Sequence, residues 1–216
     1  MREIVGIFGG TFDPVHNGHT ETISHLLTLI PFKKIMVIPS ARPPHRERVI
    51  GSFEDRLVMT RLAFKNHRRI SVEDREVLRS GPSYAIETVK EIMEEEKRVQ
   101  LIVIVGSDTF EKIDSWHKSE ELLRLVNFVV MKRPDFPILK SKKSFQFIKK
   151  KSDVKELLQS GVGEKIFAVQ VKPLKISSSV IRENLRIGKS IDSLVEPSVR
   201  EYLISHKLYV SKNSSK

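Results

Sequence analysis

The chain has 216 residues, a length that suits one domain or one domain with a small appendage. It contains no cysteine, which excludes disulfides, thiolate catalysis and cysteine-bound zinc. Apolar residues make up 39% of the chain and charged residues 30%, as in ordinary globular proteins, and the net charge is +11. The sequence has neither a signal-peptide core nor a bilayer-length apolar run, so we expect a cytoplasmic protein with no membrane partner.

The excess positive charge has two interpretations. Residues 140–151 hold six lysines and no acidic residue, with Phe145 and Phe147 between them, as a nucleic-acid surface would. The alternative is a site for small polyanions on a generally basic surface. Because runs of charge are usually solvated faces, nucleic acid is the less favoured partner.

Segments that favour strands alternate with segments that favour helices along the chain. The predicted strands are residues 4–8, 34–39, 70–72, 101–105, 128–131 and 166–171. The predicted helices are residues 20–29, 52–66, 83–97, 142–159, 177–187 and 195–206. Ser52 and Ser83 are candidate helix caps, and Gly188 is expected to end a helix. The alternation predicts an α/β protein with a doubly wound parallel sheet.

We expect a single domain over residues 1–210 and a disordered tail over residues 211–216. In a doubly wound sheet, ligands bind beyond the carboxyl ends of the strands. The loop of residues 9–19, which follows the first strand, would lie at that edge.

This first loop combines Gly9 and Gly10 with two imidazoles, His16 and His19, at a strand-to-helix junction. Glycines let the backbone approach an anion, and free N–H groups at a helix start attract one. The loop matches neither the dinucleotide fingerprint nor the P-loop. The imidazoles suggest phosphate chemistry, in which they would donate to developing negative charge. The alternatives are a metal site that includes Asp13, and two ordinary surface histidines.

Three further segments are candidates for binding. Three serines at 177–179 and Arg182 place hydroxyls and a guanidinium at a helix start, as a second phosphate site or an ordinary serine cap would. His45 and Arg46 follow two prolines, in either a phosphate-binding loop or a basic surface loop. Trp116 is either a core residue or a platform for stacking.

Together these segments resemble the nucleotidyltransferase superfamily with the H-x-G-H motif, through residues 9–19 and residues 176–182. Within it, the chain is similar to the bacterial nicotinate-mononucleotide adenylyltransferases. That narrower resemblance rests on shorter segments in the family's order: Pro43-Pro44-His45-Arg46, Ser83-Tyr84, Gly106-Ser107-Asp108, Trp116, Lys132-Arg133-Pro134 and residues 195–209. The resemblance extends over about residues 4–209.

The resemblance implies a Rossmann-like nucleotidyltransferase fold. It also implies that ATP and nicotinate mononucleotide react to give the deamido dinucleotide and pyrophosphate, with Mg²⁺ as cofactor and no metal ligand assigned on the chain. The mononucleotide phosphate would attack the α-phosphorus of ATP in line, without a covalent enzyme intermediate. Catalysis would then consist of positioning and charge stabilisation.

The resemblance assigns three groups of residues. The catalytic residues are His16, His19 and Arg182. The residues for ATP are Gly9, Gly10, Thr11, Phe12, Gly18, Asp108, Ser177, Ser178 and Ser179. The residues for the mononucleotide are Ser40, His45, Arg46, Ser83, Tyr84, Ala85, Trp116 and Arg133. Trp116 would stack on the pyridine ring, and the amides around Tyr84 and Ala85 would bind its carboxylate.

Three positions depart from the family's usual pattern. Ala85 stands where threonine is common, His117 where tyrosine is common, and Ser179 where threonine is common. The first departure leaves the preference for acid over amide open. The rival assignments are therefore a pantetheine-phosphate adenylyltransferase, an amide-preferring nicotinamide-mononucleotide adenylyltransferase, and a nucleic-acid-binding protein on the same fold.

Overall fold

Seven parallel strands form one sheet within the part of the chain that the structure describes. The computed structural model describes residues 2–44, 49–132, 145–159, 163–172 and 176–210. The strands are β1 Glu3–Gly10, β2 Phe32–Pro39, β3 Ile70–Val72, β4 Val99–Gly106, β5 Asn127–Lys132, β6 Gln146–Ile148 and β7 Ile166–Gln170. Their order across the sheet is β3-β2-β1-β4-β5-β7-β6, and every neighbouring pair is parallel. The predicted doubly wound sheet is confirmed.

Helices cover both faces of this sheet. They are α1 Asn17–Leu29, α2 Phe53–Phe64, α3 Ala85–Glu95, α4 Ser107–Phe110, α5 Ser119–Leu125, α6 Val154–Gln159, α7 Ser178–Arg186 and α8 Pro197–Ser205. Within the described ranges, no helix has the length and apolar character that would let it cross a membrane.

The alternation of side chains along β1 divides the core into two layers. Ile4 and Phe8 belong to the core layer that also contains residues of α1, α2, α6, α7 and α8, whereas Val5 and Ile7 belong to the layer with residues of α3, α4 and α5. This period of two is the property of a strand whose two faces are both buried. Strand β1, which carries the first loop, is therefore buried on both faces.

The sheet also creates the crevice that the site occupies. β1 lies between β2 and β4, with Gly10 opposite Pro39 and Ile7 opposite Val103. The chain leaves β1 towards β2 on one side, whereas β4 and the later strands extend the sheet on the other. Such a reversal of strand order opens a cleft beyond the carboxyl ends of the strands.

Three predicted elements are corrected by the structure. The first helix begins at Asn17 rather than at residue 20, because the polar residues after His16 form its first turn. Ser83 does not cap α3: Tyr84 is the N-cap residue, and Ser83 Oγ accepts a hydrogen bond from the Arg42 backbone N–H at 2.9 Å. In place of the helix predicted over residues 142–159, the described part contains strand β6, a short turn and helix α6.

Two predicted helix boundaries are confirmed, one by a hydrogen bond and one by a backbone angle. Ser52 Oγ accepts from the backbone N–H of Asp55 at 3.0 Å and so caps α2. Gly188 has a φ of +72°, a conformation in which glycine readily ends a helix. The predicted disordered tail lies outside the described residues.

Gly6 marks the tightest packing in β1. A Cβ added there would lie 2.9 Å from Ile104 Cδ1, 3.0 Å from Ile35 Cγ1 and 3.1 Å from Phe32 Cε1. Gly6→Ala should therefore lower the free energy of unfolding by about 1–3 kcal/mol, the usual cost of overpacking. Urea unfolding measures this loss.

Gly9 in the same strand provides the control. The nearest atom to a Cβ added at Gly9 is Ile38 O at 4.0 Å, so Gly9→Ala should change stability by less than about 1 kcal/mol. Equal losses in the two variants would contradict this account of strand packing.

Candidate functional site

The predicted site residues that the structure describes lie mostly at the carboxyl ends of β1, β2 and β4. The first loop follows β1, Ser40 follows β2, and Asp108 is in α4, which begins directly after β4. Ser40 N–H donates to Gly10 O at 2.8 Å, which joins the ends of β1 and β2. Three loops that are distant in sequence therefore meet at one edge of the sheet.

The two imidazoles stack on each other at the N-terminus of α1. His16 is the N-cap residue, His19 is the third residue of the helix, and their ring centroids are 3.7 Å apart at 26°. The edge-on ring of Phe12 packs against His19, with centroids 5.1 Å apart. No acidic residue lies in the first turn of α1, so its positive end is available to an anion.

One hydrogen bond sets the orientation of the His19 ring. The backbone N–H of His16 donates to His19 Nδ1 at 3.2 Å. A neutral imidazole that accepts at Nδ1 carries its proton on Nε2, so Nε2 is a donor. This is the arrangement that a group needs in order to donate to a phosphate oxygen.

Gly18 and Gly10 are required by the aromatic rings beside them. A Cβ at Gly18 would lie 2.9 Å from His16 Nδ1, and one at Gly10 would lie 2.9 Å from Phe12 Cζ. Phe12 itself has a φ of 49°, which a non-glycine residue adopts at a cost. The glycines thus let the rings of His16 and Phe12 lie directly over the backbone.

The sequence indicated Asp13 only as a candidate metal ligand, whereas in the structure its carboxylate is a buried junction of hydrogen bonds. Its side chain is 2% exposed. Its Oδ2 accepts from Ile50 N–H at 3.0 Å, and its Oδ1 accepts from Gly51 N–H at 2.9 Å and from the Tyr209 hydroxyl at 2.7 Å. The carboxylate therefore connects the first loop to residues 50–51 and to the C-terminal segment. The sequence signal was the position of Asp13 between Phe12 and Pro14, as the one acidic residue of residues 9–19.

Arg56 is a second buried charged residue at the site, and the sequence pattern did not indicate it. Its side chain is 1% exposed although it carries a full charge. Its Nη1 donates to Thr11 O at 2.7 Å and to Ser40 O at 2.8 Å, and its Nε donates to Gly51 O at 3.3 Å. Charge-assisted bonds to backbone carbonyls fix the loop without using any side chain that faces the cleft.

Helix α7 brings the second predicted phosphate cluster to the first loop. Ser177 Oγ caps α7 by accepting from Val180 N–H, and Ser178 Oγ donates to Pro14 O at 2.9 Å. Arg182 Nη1 donates to Asp13 O at 2.6 Å and lies 3.8 Å from Asp13 Oδ2, while its Nη2 donates to Ser179 Oγ. A guanidinium has five N–H donors, more than these contacts use.

Apart from Ser40, the predicted mononucleotide residues that the structure describes form a separate group on the other layer of the fold. Tyr84 and Trp116 both pack against the core of α3, α4 and α5, and the Tyr84 ring stacks on His117 with centroids 4.1 Å apart. Ser83 N–H donates to Arg42 O, and Ser83 Oγ accepts from Arg42 N–H, so this group is joined to the loop after β2. Tyr84, the N-cap residue, donates its N–H to Pro82 O at 3.0 Å. Ala85 N–H is therefore the first amide of α3 itself.

The remaining predicted residues are Asp108, His45, Arg46 and Arg133. Asp108 is half-buried, and its Oδ1 lies over Gly106, where an added Cβ would come within 2.6 Å of it. His45, Arg46 and Arg133 lie outside the described residues. Across the described ranges, no group of three or more His, Asp or Glu side chains is arranged to hold a metal.

Comparison with known proteins decides the family. The model of the family described as "Cytidylyltransferase-like" matches residues 7–184. The chain belongs to the cytidylyltransferase-like family. The match contains both signature clusters of this cytidylyltransferase-like protein, from the loop after β1 to Arg182 in α7.

Relatives over the full length support the narrower resemblance. A protein from Pseudomonas entomophila (strain L48) that carries the name "Probable nicotinate-nucleotide adenylyltransferase" is 37% identical over 210 residues, which is 97% of this chain and 96% of the relative. One of the same name from Pseudomonas syringae pv. tomato is 37% identical over 213 residues, or 97% and 95% of the two chains. The predicted family resemblance is confirmed.

A solved structure has the same fold. Nicotinic acid mononucleotide adenylyltransferase from Plasmodium falciparum, in complex with NaAD, is 22% identical and has a TM-score of 0.73. The alignment covers 96% of this chain and 97% of the Plasmodium chain. At this identity the likeness supports the fold of the cytidylyltransferase-like chain, which agrees with the predicted Rossmann-like nucleotidyltransferase architecture.

The Asp13–Tyr209 pair predicts a stability change at high pH. Burial, followed by the hydrogen bond to Asp13, raises the pKa of Tyr209 well above its ordinary value. The stability from this group is thus complete below about pH 10, where an unfolded tyrosine titrates, and is lost above it by up to about 1.4 kcal/mol per pH unit. The difference in unfolding free energy between wild type and Tyr209→Phe, measured in urea from pH 8 to 11, should shrink above pH 10. A difference that stays constant would contradict this.

Proposed function

We propose that the protein transfers the adenylyl group of ATP to nicotinate mononucleotide and releases deamido-NAD and pyrophosphate. The observation that carries this proposal is the convergence of two helix N-termini on the first loop. Helices α1 and α7 both begin there without an acidic residue in their first turns, and they carry the stacked pair His16 and His19 and the Asp13-bound Arg182. This is a strongly electropositive setting for a polyphosphate.

The reaction is one displacement at phosphorus. An oxygen of the mononucleotide phosphate forms a bond to the α-phosphorus, and the bond from that phosphorus to the bridging oxygen of the β-phosphate breaks. Pyrophosphate leaves with the electron pair. No group of the protein needs to form a covalent bond, so the residues act by positioning the two phosphates and by stabilising charge.

The ATP half of the site is built around the first loop. His19 Nε2–H is the donor to the α-phosphate, and its charge stabilisation increases as the transition state forms. His16, Gly18, Ser179 and Arg182 bind the outer phosphates. The backbone of residues 9–12 and Asp108 hold the nucleoside, and Ser177 and Ser178 act by holding α7 against the loop.

The mononucleotide half is built on α3 and the segment that contains Trp116. Trp116 stacks on the pyridine ring, and Ala85 N–H at the start of α3 binds the ring carboxylate. A backbone donor does not depend on the side chain at position 85, so alanine in place of threonine is compatible with this role. Ser40, Ser83 and Tyr84, together with His45, Arg46 and Arg133, complete the binding of the attacking nucleotide.

We propose Mg²⁺ as the metal, bound as the complex with ATP. Magnesium in nucleotide sites is held by one or two carboxylates together with substrate phosphates, so a cage of protein ligands is not required. Asp13 is committed to Ile50, Gly51 and Tyr209, whereas half-buried Asp108 beside Gly106 fits the part of the single carboxylate. The ion would neutralise charge on the departing pyrophosphate. A cytoplasmic location remains a prediction that rests partly on the lack of cysteine.

Pyrophosphate release tests the function directly. Purified protein is incubated with ATP and Mg²⁺ and with nicotinate mononucleotide, nicotinamide mononucleotide or phosphopantetheine as the acceptor. We expect strong preference for the acid, with Ala85 tolerated. Preference for the amide would keep the chemistry but overturn the carboxylate site, turnover of phosphopantetheine alone would assign the chain to that sibling activity, and no turnover would refute the proposal.

His19→Ala should reduce turnover by about 10²–10³, the usual loss for one transition-state donor. His25→Ala, in the same helix but exposed, should leave turnover unchanged. His19→Asn separates two roles of the ring, because asparagine can accept from His16 N–H but does not reach the position of Nε2. It should lose about as much turnover as alanine, and near-normal turnover in either variant would refute the role of Nε2.

A further inference from the structure

The C-terminal segment after α8 returns to the first loop. Helix α8 ends at Ser205, and Lys207 and Tyr209 then adopt φ values of 50° and 60°. Non-glycine residues seldom adopt this left-handed conformation, because it brings Cβ close to the following carbonyl. The two turns direct the Tyr209 ring inward, where its hydroxyl donates to Asp13 Oδ1 at 2.7 Å.

Gly51 leaves room for the Tyr209 hydroxyl beside Asp13. A Cβ added at Gly51 would lie 2.5 Å from Tyr209 Oη and 2.9 Å from Asp13 Oδ1. Gly51 N–H also donates to that same carboxylate oxygen at 2.9 Å. The glycine therefore provides both a donor and the room that the phenol needs.

We propose that Tyr209 is a positioning residue for adenylyl transfer, acting through Asp13 on the first loop and on Arg182. The inference rests on the proposed function, since it concerns the geometry of the same phosphate site. Tyr209 lies beyond residues 7–184, the part that matches the family model, although the full-length relatives cover this region.

The contacts of Asp13 indicate how loss of the Tyr209 hydroxyl would change the position of Arg182. Asp13 holds Arg182 through its backbone oxygen at 2.6 Å, and its Oδ2 lies 3.8 Å from Arg182 Nη1. Without the phenol, the carboxylate loses one of its neutral donors, and its attraction for the guanidinium increases. Arg182 would move towards Asp13 and away from a bound phosphate, while the first loop would lose one of its attachments.

Burial and the Asp13 carboxylate raise the pKa of Tyr209, so the phenol keeps its proton throughout the neutral range. The charged groups that face it are Asp13, Arg182 and Arg56. The hydroxyl is therefore a constant donor to Asp13, and its effect on turnover does not depend on pH near neutrality.

A matched pair of variants tests the inference. Tyr209→Phe removes only the hydroxyl that donates to Asp13. Tyr202→Phe makes the same chemical change in α8, where the hydroxyl donates to Asp55 Oδ1 at 2.9 Å outside the proposed phosphate site. Steady-state kinetics with ATP and nicotinate mononucleotide, and hydrogen–deuterium exchange of the Ile50 and Gly51 amides, are measured for wild type and both variants.

In Tyr209→Phe we expect kcat to fall about tenfold, as for a small misplacement of reacting groups, with KM for the mononucleotide within about twofold of wild type. Exchange of the Ile50 and Gly51 amides should be faster. Tyr202→Phe should keep wild-type kcat and wild-type exchange at these two amides. Equal kinetic losses in both variants, or wild-type kcat in Tyr209→Phe, would overturn the inference.

The proposed function and this inference fail in different ways. A wild-type protein that releases no pyrophosphate refutes the proposed function and the catalytic part of the inference together. An active wild type with an equally active Tyr209→Phe variant refutes the inference alone.

Gly51→Ala gives an independent check through non-additivity. The added methyl group would displace the phenol from Asp13, so the single variant should lose kcat as Tyr209→Phe does. Combined with Tyr209→Phe, it should cost less than the product of the two separate losses, because both changes act on one contact. Independent, multiplicative losses would contradict the coupling.

Discussion

The buried carboxylate of Asp13 is the feature on which the site depends. At 2% exposure it has little solvation, and such a charge is stable only when its oxygens are paired. Its partners are two backbone amides at residues 50–51, the Tyr209 phenol and the nearby Arg182 guanidinium. These groups come from a loop, the C-terminal segment and α7. Satisfying one charge therefore brings three distant parts of the chain against the loop that follows β1.

Buried Arg56 complements this arrangement by holding carbonyl oxygens of Thr11, Ser40 and Gly51. The first loop, which the proposed function assigns to ATP, is thus held by Arg56 through hydrogen bonds to backbone carbonyls. The group that the proposed function assigns to the mononucleotide is different: it contains the ring stack of Tyr84 on His117 and the half-buried Trp116. If these roles hold, side chains of this group can be exchanged without disturbing the first loop, and the acceptor can change while the first loop stays the same.

Much of the fold and part of the site were predictable, because local patterns carry that information. The alternation of apolar strands and amphipathic helices predicted the parallel sheet, and Ser52 and Ser177 cap the expected helices. Long-range partners were not predictable: nothing local in the sequence links Tyr209 to Asp13, or Arg56 to Thr11. Ser83 was wrongly expected to cap α3 because its actual partner, Arg42, is far away in sequence. The edge strand β6 was mistaken for helix, since its three residues lie in a lysine-rich stretch whose pattern signals either element only weakly. The single domain over residues 1–210 and the functional roles of the site residues remain predictions.

The central claim of this account is that the protein catalyses by holding two phosphates in line, with His19 and Arg182 as donors and no nucleophile of its own. The most direct test is the stereochemistry at the α-phosphorus. ATP made chiral at that phosphorus by sulfur substitution is converted with nicotinate mononucleotide, and the configuration of the dinucleotide product is determined. A single in-line displacement predicts inversion of configuration. Retention would require two displacements through an enzyme-bound adenylyl group, and would contradict the account.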